Sequence, residues 1–246
     1  EVLRPIPFDK SQSRSTIVET RLLSTEDIMS DERTAPDASL YRLSLYHCYL
    51  GELIRTGAPQ RITSRQLADE LNIKEETVRR DISFVGDIGR PGAGYAPEVL
   101  FAALMGFLGL SDEYPILAVG SLKMLDALQV VFPPERFGVR VAACFSEIPE
   151  DAGAEVMGVA LQHLTDITRL DPALGMTVAF VACSPGWVQI TLDLLATAGI
   201  RGVLLLTSAI KLNRPEGMII TQVRMPCDLK SLACRCQTRA GSVGTR

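Results

Sequence analysis

Residues 61–95 read RITSRQLADELNIKEETVRRDISFVGDIGRPGAGY, and the spacing of apolar residues in this stretch decides the first half of the fold. Thr63-x-x-Gln66 is a capping-box pair, in which two side chains three residues apart satisfy each other's backbone N–H groups where a helix starts. The helix it opens turns Leu67, Ala68 and Leu71 inward and ends at Asn72, a residue that tolerates the left-handed turn. A further helix begins around Lys74. On it Val78, Ile82 and Val85 fall at i, i+4 and i+7, which leaves Thr77, Arg79, Arg80 and Ser83 on the outward face. From Gly86 to Gly94 four glycines, Arg90 and Pro91 make a flexible hairpin, with Tyr95 anchoring its return. Two short helices followed by such a hairpin are the layout of a winged helix-turn-helix and predict duplex DNA as the partner.

The outward residues suit that partner. Arginine makes bidentate contacts with guanine O6 and N7 or with phosphate, so Arg79 and Arg80 are the main candidates, with Lys74, Thr77 and Ser83 beside them. Arg90, between Gly89 and Gly92 in the wing, is placed to follow a phosphate line or enter the minor groove, and Gly94 and Tyr95 complete that loop. Helix trios of this kind also serve as protein-interaction modules, but adjacent arginines opposite a clean apolar stripe favour the DNA reader. Residues 38–110 hold eight basic and eight acidic side chains in a chain of net charge −4. Affinity must therefore come from local placement of Lys74, Arg79, Arg80 and Arg90, giving weak non-specific binding and strong salt dependence.

Upstream, Leu40, Leu43, Leu45, Tyr46, Tyr49, Leu50, Leu53 and Ile54 repeat at helical spacing, in a helix that stops at Gly57 and Pro59. Residues 1–37, rich in Ser, Thr and charge, are expected to be a mobile arm, with a short helix near Thr25 to Met29 as an option. The opening EVLRPIPFDK has no apolar core of a secretory signal, and the longest apolar run, Val99 to Leu110, falls short of the roughly 20 residues a membrane span needs. A cytoplasmic protein with no membrane partner is the expectation.

Downstream of an amphipathic segment at 97–110, apolar strands alternate with helices. Strands are predicted at Ile116 to Val119, Val139 to Phe145, Val159 to Gln162, Thr177 to Ala182 and Val203 to Leu206, with helices at Leu122 to Val131 and Gly186 to Ala198. This pattern implies a parallel sheet covered on both faces. A last helix is placed from about Cys227 to Cys236, ahead of a disordered tail, RAGSVGTR. At 246 residues and 47% hydrophobic the chain has room for two cores. The expected architecture is an α+β winged helix-turn-helix domain (38–110), an α/β Rossmann-like parallel-sheet domain (111–222), and a C-terminal helix and tail (223–246). The six cysteines are expected to be reduced thiols. Cys227, Cys234 and Cys236 lack CxxC spacing and a neighbouring histidine, so small apolar helix residues are a better reading of them than a metal site or thiol switch.

Residues 40–236 resemble the Rex family of redox-sensing transcriptional repressors. The resemblance is carried by LYRLSLYHCYLGEL, by SRQLADELN followed by ETVRRDISFVGDIGRPGAGY, and by LLATAGIRGVLLLTSAIKLNRPEG leading to LKSL. It implies a homodimer that reads a palindromic operator with paired winged helices and is released when NADH displaces NAD, and it gives sensing and dimerisation to the Rossmann-like domain, here 111–222. It further implies a C-terminal helix that packs on the partner subunit, here Asp228 to Cys236. Thr77, Arg79, Arg80, Asp81, Ser83, Gly86, Gly89, Gly92, Gly94 and Tyr95 match the family's DNA-facing pattern, while Ala93 replaces an aromatic in the wing.

The nucleotide fingerprint matches poorly. Where the family has GxGxxG, this chain reads Gly120, Ser121, Leu122, Lys123, Met124, Leu125. In a dinucleotide fold the second glycine lets the pyrophosphate approach the backbone and the third lets the helix pack closely. The acid that would take the adenine ribose is replaced by Ser146, with Glu147 next along, and Arg224 stands where the family has Asp in its interdomain contact region. Two readings follow. Either NAD(H) still binds, more weakly, with Lys123 offsetting phosphate charge, or sensing is lost and the domain is a scaffold or takes another nucleotide or a coenzyme A-like ligand. The second is preferred because all these changes act against one ligand.

A dehydrogenase is the rival from another class, with Cys183 at a strand end before a helix as its most reactive candidate. The only histidines are His47, read as a packing residue, and His163, read as a loop hydrogen-bonder. No second catalytic domain follows, so no enzyme is expected.

Overall fold

The computed structural model describes residues 35–57, 59–89, 93–110, 113–207 and 211–241. Residues 1–34 of the proposed arm, Arg90 and Gly92 of the wing, and the last five residues of the tail lie outside the described residues, while Asp37, expected to end the arm, already begins a helix.

Helix α1 (Asp37–Gly57) buries Leu43, Tyr46 and Leu50, as the helical repeat requires. α2 (Ser64–Leu71) opens on the complete Thr63/Gln66 capping box and closes on Asn72 at φ 52°, ψ 46°. α3 (Glu75–Ser83) starts with two acids, Glu75 and Glu76, which favour the positive end of the helix dipole, and buries Val78 and Ile82. α4 (Pro97–Phe107) begins on a proline, whose missing N–H costs nothing at a helix start, and buries Leu100 and Leu104. These helices share one core.

The second core is built on a sheet. β1 (Tyr114–Val119), β2 (Val139–Ser146), β3 (Glu155–Val156), β4 (Val159–His163), β5 (Val178–Val181), β6 (Gly202–Leu205) and β7 (Ile219–Gln222) lie in the order β3-β4-β2-β1-β5-β6-β7. All neighbours are parallel except β3 against β4. Side chains alternate between the faces. Leu117 and Val119 join the core beneath α6 (Val188–Thr197), whereas Ile116 and Ala118 join the one beneath α5 (Leu122–Val131). Strand order reverses direction between β1 and β5, and that switch point is where open α/β sheets bind ligands, beyond the carboxyl ends of the strands.

Several expectations need correction. β3 and β7 were not anticipated: β3 is two residues long, turned back by Met157 and Gly158 with φ of 52° and 73°, and β7 is an edge strand with Ile219 exposed. The helix expected from Gly186 starts as a 3₁₀ turn, Pro185–Trp187, because Pro185 favours a start rather than an interior. The final helix, α7 (Met225–Gly241), is longer than Cys227 to Cys236 and takes in the first three residues expected to be tail. Among the described residues no helix is long and apolar enough to cross a membrane.

Candidate functional site

The outward face of α3 is held in place from behind. Asp81 points inward and is fully buried, where Arg42 of α1 grips it through Nε to Oδ2 (2.6 Å) and Nη2 to Oδ1 (2.7 Å), and the Tyr46 hydroxyl donates to Oδ2 (2.9 Å). Burial alone would raise the Asp81 pKa, but the hydrogen bonds from Arg42 and Tyr46 outweigh it and hold the carboxyl below its ordinary value. Burial, with help from Asp81, pushes the Tyr46 hydroxyl up. This fork fixes the rotation of α3 about its axis. Asp81 therefore positions the helix and is not one of its DNA-facing residues, contrary to the sequence pattern.

With that rotation fixed, Arg79, Arg80 and Ser83 are exposed, Thr77 is half-buried, and Lys74 sits at the N-cap with its side chain exposed. Arg79 Nη2 meets Glu75 Oε1 at 3.0 Å with both side chains well exposed. Such a surface pair is worth little and is easily exchanged for a phosphate or a guanine. Ser83 Oγ donates to the Arg80 carbonyl at 2.6 Å, so its hydroxyl helps close the helix.

The wing joins the body through Ile62 and Tyr95, whose backbones exchange two hydrogen bonds of 2.8 Å. Gly94 has φ +68°, and a Cβ there would lie 2.8 Å from the Ile62 carbonyl oxygen, so the position requires glycine for backbone reasons. Tyr95 reaches Ser64 Oγ at 3.4 Å and packs against Gly89. Arg61, which sequence reasoning passed over, donates through Nη2 to the Gly94 carbonyl (3.0 Å) and through Nε to that of Ala93. Nothing in its local sequence marks it for this role.

The switch-point crevice is built from the ends of β1, β2 and β5. Gly120 follows β1 and is buried; a Cβ would crowd the Ala182 carbonyl oxygen at 3.3 Å and the Leu125 side chain at 3.4 Å, so this glycine serves close packing. Ser121 caps α5, its Oγ accepting from the Met124 amide. Leu122, at the second glycine position of the fingerprint, packs its side chain into the core beneath α5, and its amide donates to Asp151 Oδ2 at 2.8 Å. Lys123 is exposed on the first turn of α5. Ser146 is buried, donating to Asp151 Oδ2 at 2.7 Å and accepting from the Ile148 amide at 3.0 Å. Glu147 turns across β1 toward β5, where Oε1 accepts from the Ser184 amide and hydroxyl, both at 2.8 Å, while its buried Oε2 has no donor among the described residues.

Cys183 is likewise corrected. It is buried in the core beneath α6, 3.6 Å from Thr191 Oγ1, and burial raises its thiol pKa, so it is neither an activated thiolate nor open to a ligand. His163 holds Thr165 at the start of a 3₁₀ turn, and His47 stacks on Phe101 with ring centres 4.2 Å apart. NAD(H) needs open amides at the head of α5 for its pyrophosphate and a carboxylate at the end of β2 for its adenine ribose hydroxyls. Here the Leu122 amide is taken by Asp151, the end of β2 carries a buried serine, and the Glu147 carboxylate next to it is turned onto Ser184, so these residues do not fit that cofactor.

A family model described as "Putative DNA-binding protein N-terminus" matches residues 34–83. The redox-sensing transcriptional repressor Rex of Streptomyces griseus is 32% identical over 209 residues, covering 85% of this chain and 82% of that protein. Rex of a Roseiflexus species is 28% identical over 76% of this chain and 84% of its own. Among solved structures, RSP, a Rex-family repressor, superposes with a TM-score of 0.69 at 24% identity over 84% of this chain and 96% of its own. RSP in complex with β-NAD+ and operator DNA gives 0.70 at 24% identity, over 87% and 99%. The relatives are named as transcriptional repressors and not as enzymes, and the fold agrees with theirs: this chain belongs to the Rex family of redox-sensing transcriptional repressors.

Proposed function

We propose that this protein is a cytoplasmic homodimeric repressor that reads a palindromic DNA operator with paired α3 helices, and in which NAD(H) sensing is weakened or lost. In this reading residues 38–110 are the DNA-reading unit, 111–222 the sensor-derived dimerisation unit, and 223–246 the helix and tail that engage the partner. The observation that carries it is the α3 face: Arg79, Arg80 and Ser83 exposed on a helix whose rotation is set by the buried Arg42–Asp81 fork. Lys74 and Thr77 flank that face, and Arg90, Gly92, Gly94 and Tyr95 form the wing contact, Gly94 and Tyr95 by shaping the backbone. The solved complex of RSP with operator DNA supports the assignment.

Arg79→Ala and Arg80→Ala are each expected to weaken binding to an operator duplex by about 1–3 kcal/mol. Arg80 carries the larger share, since Arg79 must first give up Glu75. Fluorescence anisotropy on a labelled duplex measures this, and unchanged affinity in both variants would rule out α3 as the reading helix. A second reading, intact NADH/NAD+ switching, is favoured by the relatives' shared name and by RSP having been solved with β-NADH and with β-NAD+. The crevice geometry weighs against it, and leaves room for a different nucleotide or a coenzyme A-like ligand only if that ligand needs no phosphate at the head of α5.

A further inference from the structure

We propose that Asp151 is an intramolecular ligand: its carboxylate occupies the anion position at the head of α5 and so determines which ligands the crevice refuses. The inference rests on the reading that nucleotide sensing is weakened or lost, and supplies its cause. A ten-residue helix presents unpaired N–H groups and a positive dipole end at its first turn, the place where a pyrophosphate settles in dinucleotide folds. Here the chain answers those groups itself. Asp151 Oδ2 accepts from the Leu122 amide at 2.8 Å and from Ser146 Oγ at 2.7 Å, while Ser121 Oγ takes the Met124 amide. The 3₁₀ turn Pro149–Asp151, closed by the Asp151 amide on the Ile148 carbonyl, delivers the carboxylate from the end of β2.

Glu147 is a second, independent sign that the crevice is filled from within. Only 5% exposed, it runs from the end of β2 to the end of β5, with Oε1 bonded to Ser184 and Oε2 buried without a donor among the described residues. Two carboxylates thus lie at the carboxyl ends of three adjacent strands, β2, β1 and β5. A phosphate arriving there meets like charge in a poorly solvated place and must displace an acceptor that is tethered beside its amide. The crevice therefore refuses ligands that must seat a pyrophosphate at the head of α5, and removing the Asp151 carboxylate reopens the amides to a pyrophosphate. It does not restore the dinucleotide site, because Ser146 still stands where the ribose needs an acid.

The test titrates sodium pyrophosphate and, separately, NADH into the full chain and its Asp151→Ala and Asp151→Asn variants, followed by calorimetry and thermal unfolding. The wild type is expected to respond to neither. Asp151→Ala is expected to bind pyrophosphate about tenfold or more tighter than wild type, with a rising Tm, and to bind NADH no better than pyrophosphate. Asp151→Asn keeps the side-chain volume and an acceptor for Leu122 but not the charge. It is expected to show the same gain in smaller measure, and it carries the test if the alanine variant does not fold. Neither variant binding pyrophosphate better than wild type would overturn the role of Asp151 and leave the loss of NADH sensing standing. A wild type that binds NADH in the micromolar range would sink both.

Discussion

Asp81 and His47 set the pH behaviour of the DNA-reading half. Asp81 titrates below its ordinary 3.8 in the folded chain, so its stabilisation is complete above that value and is lost as pH falls through the folded pKa. His47, desolvated against Phe101, titrates below its ordinary 6.5, so the folded state prefers the neutral ring. Its contribution is likewise full above 6.5 and is lost as the medium is acidified toward the depressed value. Thermal melts over falling pH should therefore show a loss beginning below about 6.5 that His47→Phe removes, and a steeper one at carboxylate pH that Asp81→Asn removes. At neutral pH Asp81→Asn is expected to cost about 1–3 kcal/mol, because Arg42 keeps only partial access to water once its partner is neutral. Melts of both variants that track the wild type at every pH would show that neither group is coupled to folding.

The helix-turn-helix was readable at the level of elements because its signals are local. The capping box at Thr63, the left-handed Asn72 and the apolar stripe of Val78 and Ile82 each act within one or two turns, and each appears in the structure as the sequence predicts. What escaped notice acts across distance. The Arg42–Asp81 fork joins residues 39 apart, Arg61 reaches the wing across 33, and Asp151 meets the head of α5 from 29 positions away. No periodicity records such pairs. The same limit hid β3 and β7, the first because two residues carry no alternation, the second because an edge strand is only partly apolar. At Cys183 the strand end before a helix suggests an activating dipole, whereas burial dominates and raises the thiol. Gly94 gives this scale its test: alanine at φ +68°, 2.8 Å from the Ile62 carbonyl oxygen, is expected to cost about 1–3 kcal/mol and to detach the wing. Urea denaturation should show the loss, and a Gly94→Ala protein of unchanged stability would mean that the wing is not pinned at this point.

Over the whole molecule, one ion pair and one exposed helix face bear on how the protein is put together. Glu52 of α1 takes Arg55 through Nη2 at 2.5 Å and Arg136 through Nη2 at 2.6 Å. Arg136 belongs to the 3₁₀ turn Pro134–Phe137 ahead of β2, so an ion pair ties the DNA-reading helices to the sheet. Arg55 first, then Arg136, hold the Glu52 carboxyl down at about 2. α7 presents an exposed apolar face. Met225, Leu229 and Leu232 recur at i, i+4 and i+7 and are at least half exposed, an apolar stripe that a second copy of the chain would cover. Light scattering should accordingly give twice the chain mass, and Leu229→Glu should shift it toward the monomer; a monomeric wild type at working concentration would remove the paired half-site arrangement. The central claim, a working DNA reader behind a crevice closed to dinucleotides, is tested most directly by a duplex enriched from a random pool for binding to this protein. The complex is titrated with NADH, NAD+ and coenzyme A in one buffer. Retention of the complex at every NADH concentration is the predicted result, and its release by NADH with NAD+ protecting it would contradict the account.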